Sequence, residues 1–351
     1  MRVHVTDLVE GDILSQDTFN HYGLHVLSKG TYLNTMEISR LLQHHIEYVD
    51  IEERHTEAFP MRTLETTVNP KWLPVVQPLY VDAVKRFEEL YAQAKVSGTV
   101  NDEQVSSIIN PLLGNLQLER DVISMLLLLN TSDDYTYQHS VQVGMLAYYL
   151  AGWVGYSDEE AIEAGKAGFL HDIGKCRIDD AILNKPDKLT AEEFNEVKKH
   201  TVYGHEIIRA SFDSPLVAAA ALSHHERNDG SGYPHGLEGD AIHPIAKIIA
   251  VVDIYSAMIS ERVYQQKRDL LSVLKELYRL SFNELDPHTT HTFIKHMIPN
   301  FIGKQVELES GETGMIVMTH PTEFFQPLIK INDEFIDLTI ERNYAIKHVH
   351  L

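Results

Sequence analysis

The chain has 351 residues, 44% hydrophobic and 23% charged. That is a globular mixture long enough for two or three compact units and unlike disordered or collagen-like sequence. Thirty Lys and Arg against 51 Asp and Glu leave a formal charge of -21, a field that repels the backbone of a nucleic-acid polymer. No run approaches the ~20 apolar residues of a membrane span, and a single cysteine, Cys176, excludes an internal disulfide, so a cytoplasmic protein is expected.

The opening MRVHVTDLVEGD meets acids before any apolar run, and no secretory signal is read there. Val3 to Val5, Asp12 to Leu14 and Leu24 to Leu27 lie between Gly11, Gly23 and Gly30, as short strands do in a small β-rich unit. Asn34 and Glu37 have the spacing of a capping box, which predicts an amphipathic helix through Leu42. Pro60, Pro70, Pro74 and Pro78 predict a connector, after which Val84, Phe87, Leu90 and Tyr91 form the apolar stripe of a helix from Tyr80 to Ala94. From about Asn110 to Met297 the pattern is helix after helix, with capping boxes at Ser157/Glu160 and Thr190/Glu193 and an N-cap with proline at Ser214-Pro215. Beyond residue 300 the period changes, and strands are expected at Val306 to Leu308, Met315 to Met318, Leu328 to Ile331 and Ile336 to Leu338. The expected fold is mostly α, a central helical domain flanked by small β-rich units. Its boundaries fall at 1–59, 60–109 (connector and helix), 110–300 and 301–351.

The chain holds 20 histidines. Within the helical region, His139 enters a long apolar helix, His171-Asp172 ends the next, His200 follows the helix opened at Thr190, and His224-His225 ends the helix opened at Ser214. Asp253 lies in Ile-Ile-Ala-Val-Val-Asp-Ile-Tyr, where a carboxylate is expected to be buried. A buried charge needs a cation, an arginine or a helix cap beside it. His44-His45 has no such companions and is read as structural or surface. Side chains at several helix ends can converge on one cavity, and a carboxylate with two oxygens can bridge two ions, which makes Asp172 the natural centre of a dinuclear site.

His171-Asp172 with Lys175, His200, and the run His224-His-Glu-Arg-Asn-Asp-Gly-Ser-Gly-Tyr-Pro234 resemble the HD-GYP domain, as do Asn184-Lys-Pro186 and Asp253-Ile-Tyr. The resemblance covers about Tyr135 to Arg262. It implies an all-helical HD-type fold that hydrolyses the cyclic dinucleotide cyclic-di-GMP to pGpG or GMP. It further implies that His139, His171, Asp172 and Asp253 hold one divalent metal ion and Asp172, His200, His224 and His225 a second, iron or manganese being favoured. A hydroxide bridging the ions is the expected nucleophile, with Asp172 and Lys175 as the catalytic pair. Lys175, Gly232, Tyr233, Pro234 and Arg262 are expected to meet substrate, and Glu226 and Arg227 to form an ion pair behind the histidines.

The sequence departs from the family pattern in four places. Tyr135 stands where members with a third metal carry glutamate, so two ions are expected. Ser256 replaces a second carboxylate after Asp253, which bears on an auxiliary hydrogen bond rather than on the ligand. Gln265 replaces a basic residue beyond Arg262, and Asp187 replaces a glycine. Two other readings compete: a non-catalytic cyclic-di-GMP sensor or scaffold, and an HD phosphohydrolase acting on another nucleotide. A homodimer is expected, with the helix from Tyr80 to Ala94 as a candidate seam.

Overall fold

The computed structural model describes residues 2–5, 8, 12–19, 25–34, 37, 41, 46, 48–51, 73–116, 135–185, 187–260, 270–332 and 334–350. Its contacts divide the chain into two units, Met1–Val68 and Asn69–Leu351. The molecule is mostly helical, with small antiparallel β structures near each end of the chain.

In the first unit, β1 (Arg2–His4) pairs antiparallel with β4 (Tyr48–Asp50), and β2 (Thr18–Phe19) with β3 (His25–Leu27). Leu14, Leu33, Leu41 and Ile51 lie at the centre of its apolar core. The capping box forms as the spacing predicts: Glu37 N–H donates to Asn34 Oδ1 at 3.2 Å, and Asn34 N–H to Glu37 Oε2 at 3.3 Å. Most of the helix that follows, with His44-His45, lies outside the described residues. Strand β4 was not expected from the sequence.

The second unit opens with α1 (Leu73–Ser97), which starts seven residues before the expected Tyr80 and carries Pro78 inside it. Pro74 needs no N–H partner in the first turn, but Pro78 removes an interior backbone bond at a cost of about 3 kcal/mol. Burial of Val76, Tyr80, Ala83, Phe87, Leu90 and Ala94 along one face outweighs that cost. The predicted connector therefore ends within a helix; Pro60 and Pro70 lie outside the described residues. Next comes α2 (Asp102–Leu116), whose Gln104 N–H donates to the cap Asn101 Oδ1.

Helix α3 (Tyr135–Trp153) is buried on nearly every side, as a helix at the centre of a bundle must be. Helix α4 (Asp158–Leu170) packs closely along it and starts at the predicted Ser157/Glu160 capping box. After a 3-10 turn at Ile173–Arg177 come α5 (Asp180–Leu183), α6 (Ala191–Lys198, opened by the Thr190/Glu193 box), α7 (His200–Ser211) and α8 (Pro215–Ser223). Then follow α9 (Pro244–Ser260), α10 (Leu270–Leu280) and α11 (Pro287–Met297). Among the described residues no helix is long and apolar enough to cross a membrane.

The C-terminal strands β5 (Gln305–Leu308), β6 (Thr313–Met318), β7 (Leu328–Ile331), β8 (Glu334–Asp337) and β9 (Ile346–His350) form one antiparallel sheet in the order β8-β7-β6-β5-β9. Val306, Leu308, Ile316, Ile329 and Val349 join the same apolar core as the helices. Strand β9 is a further element that the sequence reading missed: Lys347, His348 and His350 mask its alternation, and pairing with β5 decides its conformation.

Candidate metal centre

The polar residues of interest are carried by helix ends and by two apolar helices. His139 sits in the second turn of α3, where buried neighbours Val141, Val143 and Met145 leave its ring only the interior. His171 caps the C-terminus of α4, and Asp172 turns the chain into the 3-10 segment. His200 opens α7, His224 caps α8 with His225 beyond it, and Asp253 lies in α9 beside Val251, Val252 and Tyr255. Gly174 brings two of these segments together. An added Cβ there would stand 1.9 Å from the His200 carbonyl oxygen and 2.4 Å from Gly204 N, so only glycine lets the turn press against α7.

The structure brings two groups together, Asp172 with His200, His224 and His225, and His139 with His171 and Asp253. Within each group the potential ligand atoms lie within 4.8 Å of one another. Asp172 faces both. Its Oδ1 is 3.2 Å from His200 Nε2 and 3.8 Å from His224 Nε2. Its Oδ2 is 3.3 Å from His171 Nε2 and 2.6 Å from Lys175 Nζ. Asp253 Oδ1 lies 3.0 Å from His139 Nε2 and 3.8 Å from His171 Nε2, and among the described residues no arginine is ion-paired with it.

The protons explain why these atoms need a cation. A carbonyl only accepts, so each backbone partner fixes the proton on the ring nitrogen that faces it and leaves the lone pair on the other. His171 Nδ1–H donates to Gly168 O at 2.7 Å, His200 Nδ1–H to Val197 O at 2.6 Å, and His224 Nδ1–H to the carbonyls of Ala220 and Ala221, each at 3.1 Å. In the neutral rings the Nε2 lone pairs then face inward. His200 Nε2 and His224 Nε2 stand 3.3 Å apart, lone pair toward lone pair, and Asp172 Oδ1 adds a third. His171 Nε2 and Asp172 Oδ1 are buried and lack a hydrogen-bond partner. Each such orphan costs about 1–3 kcal/mol in the absence of a compensating group.

Electrostatics point the same way. Burial pushes His225 down to about 3, and burial with the neighbouring His225 pushes His224 well below the usual imidazole value, so both are neutral donors. Burial also opposes charge on His171, but the Asp172 and Asp253 carboxylates outweigh it and raise its proton affinity; the same field attracts a metal cation. Burial would raise Asp172, yet Lys175 and His171 hold it well below the usual carboxylate range; His139 does the same for Asp253. A mixed imidazole and carboxylate donor set, with buried lone pairs converging and second ring nitrogens tied down, fits divalent transition metals.

The loop after His225 is held by backbone bonds. Glu226 is buried and accepts from the N–H groups of His235 at 2.8 Å and Leu237 at 2.9 Å, while Arg227 donates to the carbonyls of His224 and Glu226. The expected Glu226–Arg227 ion pair is not formed; each side chain ties down the main chain instead. A Cβ at Gly232 would fall 2.3 Å from Arg227 N and 2.5 Å from the His225 carbonyl oxygen, so a larger residue would push the loop off the histidine. Tyr233 N–H donates to His225 O at 3.2 Å, its ring lies 4.7 Å from that of His225, and the Tyr233–Pro234 peptide is cis. Lys198 Nζ stands 5.4 Å from the centre of the Tyr233 ring.

The Lys175 side chain is 27% exposed and pairs with Asp172. Lys185 pairs with Glu193, and so serves the α6 cap. Arg262, Gln265, Pro186 and the side chain of Tyr135 lie outside the described residues. Sequence reasoning missed Gln142 and a positive role for Ser256. The only hint was that polar Gln142 interrupts an apolar stretch, which the buried chain from His139 through Ser256 to Gln142 explains.

A helical bundle that joins a His-Asp pair at one helix end to further histidines from neighbouring helices has the architecture of an HD domain. Residues 123–289 match the family model described as HD domain. The chain is 34% identical over 243 residues to the cyclic di-GMP phosphodiesterase PA4108 of Pseudomonas aeruginosa, covering 69% of this chain and 58% of that protein. It is 39% identical over 186 residues to a cyclic di-GMP phosphodiesterase of Thermotoga maritima, covering 51% of this chain and 50% of that one. The matched part of the chain thus spans about half the length of these relatives. The solved structure of Bd1817, a HDG"Y"P protein from Bdellovibrio bacteriovorus, shares the fold with a TM-score of 0.51 and 16% identity, over 84% of this chain and 97% of that one. Over residues 123–289 the chain is thus similar to the HD domain, and its relatives there include cyclic di-GMP phosphodiesterases.

Proposed function

We propose that this protein hydrolyses cyclic-di-GMP to pGpG and/or GMP at a dinuclear metal site. His139, His171, Asp172 and Asp253 would hold one ion and Asp172, His200, His224 and His225 the other, with iron or manganese favoured. The observation that carries this reading is the convergence of buried Nε2 lone pairs on both oxygens of Asp172. When bound, two such ions act as Lewis acids on a phosphodiester and lower the pKa of the attacking water.

The chain's own groups do the rest. Asp172 presents one oxygen to each histidine group and so sets their separation. Lys175 is a compact cation 2.6 Å from Asp172 and partly open to solvent, positioned to pair with a phosphate oxygen as negative charge grows. Gly232 lets the loop lie on His225, and Tyr233, whose ring lies beside that histidine, and Pro234 would meet substrate there; Glu226 holds the loop against the histidines. Arg262 is assigned to substrate phosphate from the sequence pattern alone. Residues 110–300 are proposed as the catalytic unit, in a cytoplasmic homodimer. To test the function, purified protein loaded with Fe(II) or Mn(II) is incubated with cyclic-di-GMP and the products separated by chromatography. Linear pGpG or GMP is expected, and neither with Asp172→Ala. Intact cyclic-di-GMP at every metal would overturn the hydrolytic reading, and faster cleavage of a different cyclic dinucleotide would overturn the substrate.

A further inference from the structure

His139 differs from His171, His200 and His224 in the partner of its Nδ1. His171, His200 and His224 each fix their Nδ1 proton on a backbone carbonyl, whereas His139 Nδ1 lies 3.0 Å from the hydroxyl of Ser256, 117 residues away on α9. A hydroxyl can donate or accept, so it selects a ring tautomer only if its own proton is committed. Here it is: Ser256 Oγ–H donates to Gln142 Oε1 at 3.3 Å, and the Gln142 amide donates to the Tyr80 hydroxyl at 3.3 Å. Ser256 and Gln142 are 0% and 1% exposed, and Tyr80 is 2% exposed, so water does not compete for these groups.

We propose that Ser256 and Gln142 are positioning residues that hold His139 as the Nδ1–H tautomer, and that Tyr80 of α1 anchors this relay from outside the family-matched segment. With its hydroxyl proton given to Gln142, Ser256 accepts from His139 Nδ1–H, and the Nε2 lone pair is turned toward Asp253 and the metal. The opposite tautomer would place Nε2–H on Asp253 Oδ1, 3.0 Å away, and remove His139 from the donor set. Ser256, whose departure from the family's carboxylate bore on an auxiliary hydrogen bond, thus makes one with a neutral group. The relay brings no second buried charge, and it ties the ring to a helix that precedes the HD segment. The inference rests on His139 acting as a ligand and is independent of which nucleotide is cleaved.

The test is metal binding by calorimetry on the metal-free full-length protein, using Mn(II) alone. Removal of a partner behind a metal-bound histidine weakens binding about 10–100-fold. Ser256→Ala and Gln142→Met are expected to weaken one class of sites by about that factor and leave the other unchanged. Ser256→Thr, which keeps the hydroxyl, restores the wild-type isotherm, and Tyr80→Phe gives a smaller loss in the same class. Circular dichroism melting of each variant separates this from misfolding, and if Ser256→Ala does not fold, Gln142→Met and the threonine variant decide. Wild-type Mn(II) binding in folded Ser256→Ala or Gln142→Met overturns the relay, and wild-type binding in Tyr80→Phe overturns its extension to α1. A protein that binds Mn(II) as described but leaves cyclic-di-GMP intact contradicts the proposed reaction and not this relay.

Discussion

At the scale of single residues, the site depends on close backbone approach as much as on ligands. Gly174→Ala would drive a methyl into the His200 carbonyl, and neither partner is a flexible side-chain end that can give way. Overpacking of this kind costs about 1–3 kcal/mol. Urea unfolding of the metal-free variant should show that loss, and calorimetry a weaker metal site, because His200 is displaced from Asp172. Glu226→Ala takes the buried charged acceptor from the part-buried N–H groups of His235 and Leu237, for an expected loss of about 1.5–3 kcal/mol by the same measurement. An unchanged midpoint would show that the carboxylate does not hold the loop. Neither partnership was legible in the sequence. Glu226 beside Arg227 has the appearance of an ion pair, and only the folded loop shows two backbone amide groups closing on the acid.

At the scale of elements, the caps were legible and the proline-bearing helix was not. Ser157 and Glu160 make both bonds of their capping box, since the signal is local and needs nothing beyond four consecutive residues. Ser157→Ala should cost about 1 kcal/mol in thermal or urea unfolding, with Ser157→Gly costing less. Helix α1 begins early because tertiary burial overrides the penalty of Pro78, a balance that a sequence window does not contain. Phe87 carries much of that burial: its ring lies 4.4 Å from Phe169 and 6.1 Å from Tyr137. Phe87→Ala should destabilise by about 3–5 kcal/mol and loosen α1 from α3 and α4. A loss below 1 kcal/mol would mean that α1 is peripheral to the core.

At the scale of the whole molecule, the metal-free protein should be sensitive to acid. His224 and His225 are pushed down in the folded state and return toward ~6.5 on unfolding. Below that value the unfolded chain binds more protons, so their contribution is complete above pH ~6.5 and is lost as pH falls through their folded values, about 3 for His225. Asp172 and Asp253 act in the same sense below ~4, being held under the usual carboxylate range. His171 and Lys175, both raised, act oppositely: their contributions are complete at low pH and are lost as pH rises through their folded values. Burial also pushes His243 and His291 down, so with four histidines lowered against His171 raised, the melting temperature of chelator-treated protein should fall from pH 7 to pH 5. A flat or rising profile would show that the rings are not buried neutral.

The helical class and the rough places of the His and Asp residues were legible because helix ends announce themselves by caps, and histidines clustered there stand out against apolar runs. What joins them was not, since contacts such as His139 to Ser256 span 117 residues and depend on how α3 and α9 cross. The proposed reaction requires two cations shared through Asp172. Metal content measured on protein reconstituted with Mn(II) and freed of excess metal tests this most directly. Two ions per chain, falling to none or one in Asp172→Ala while folding is retained, is the predicted result; one ion or none in the wild type, or two still bound without Asp172, would contradict it.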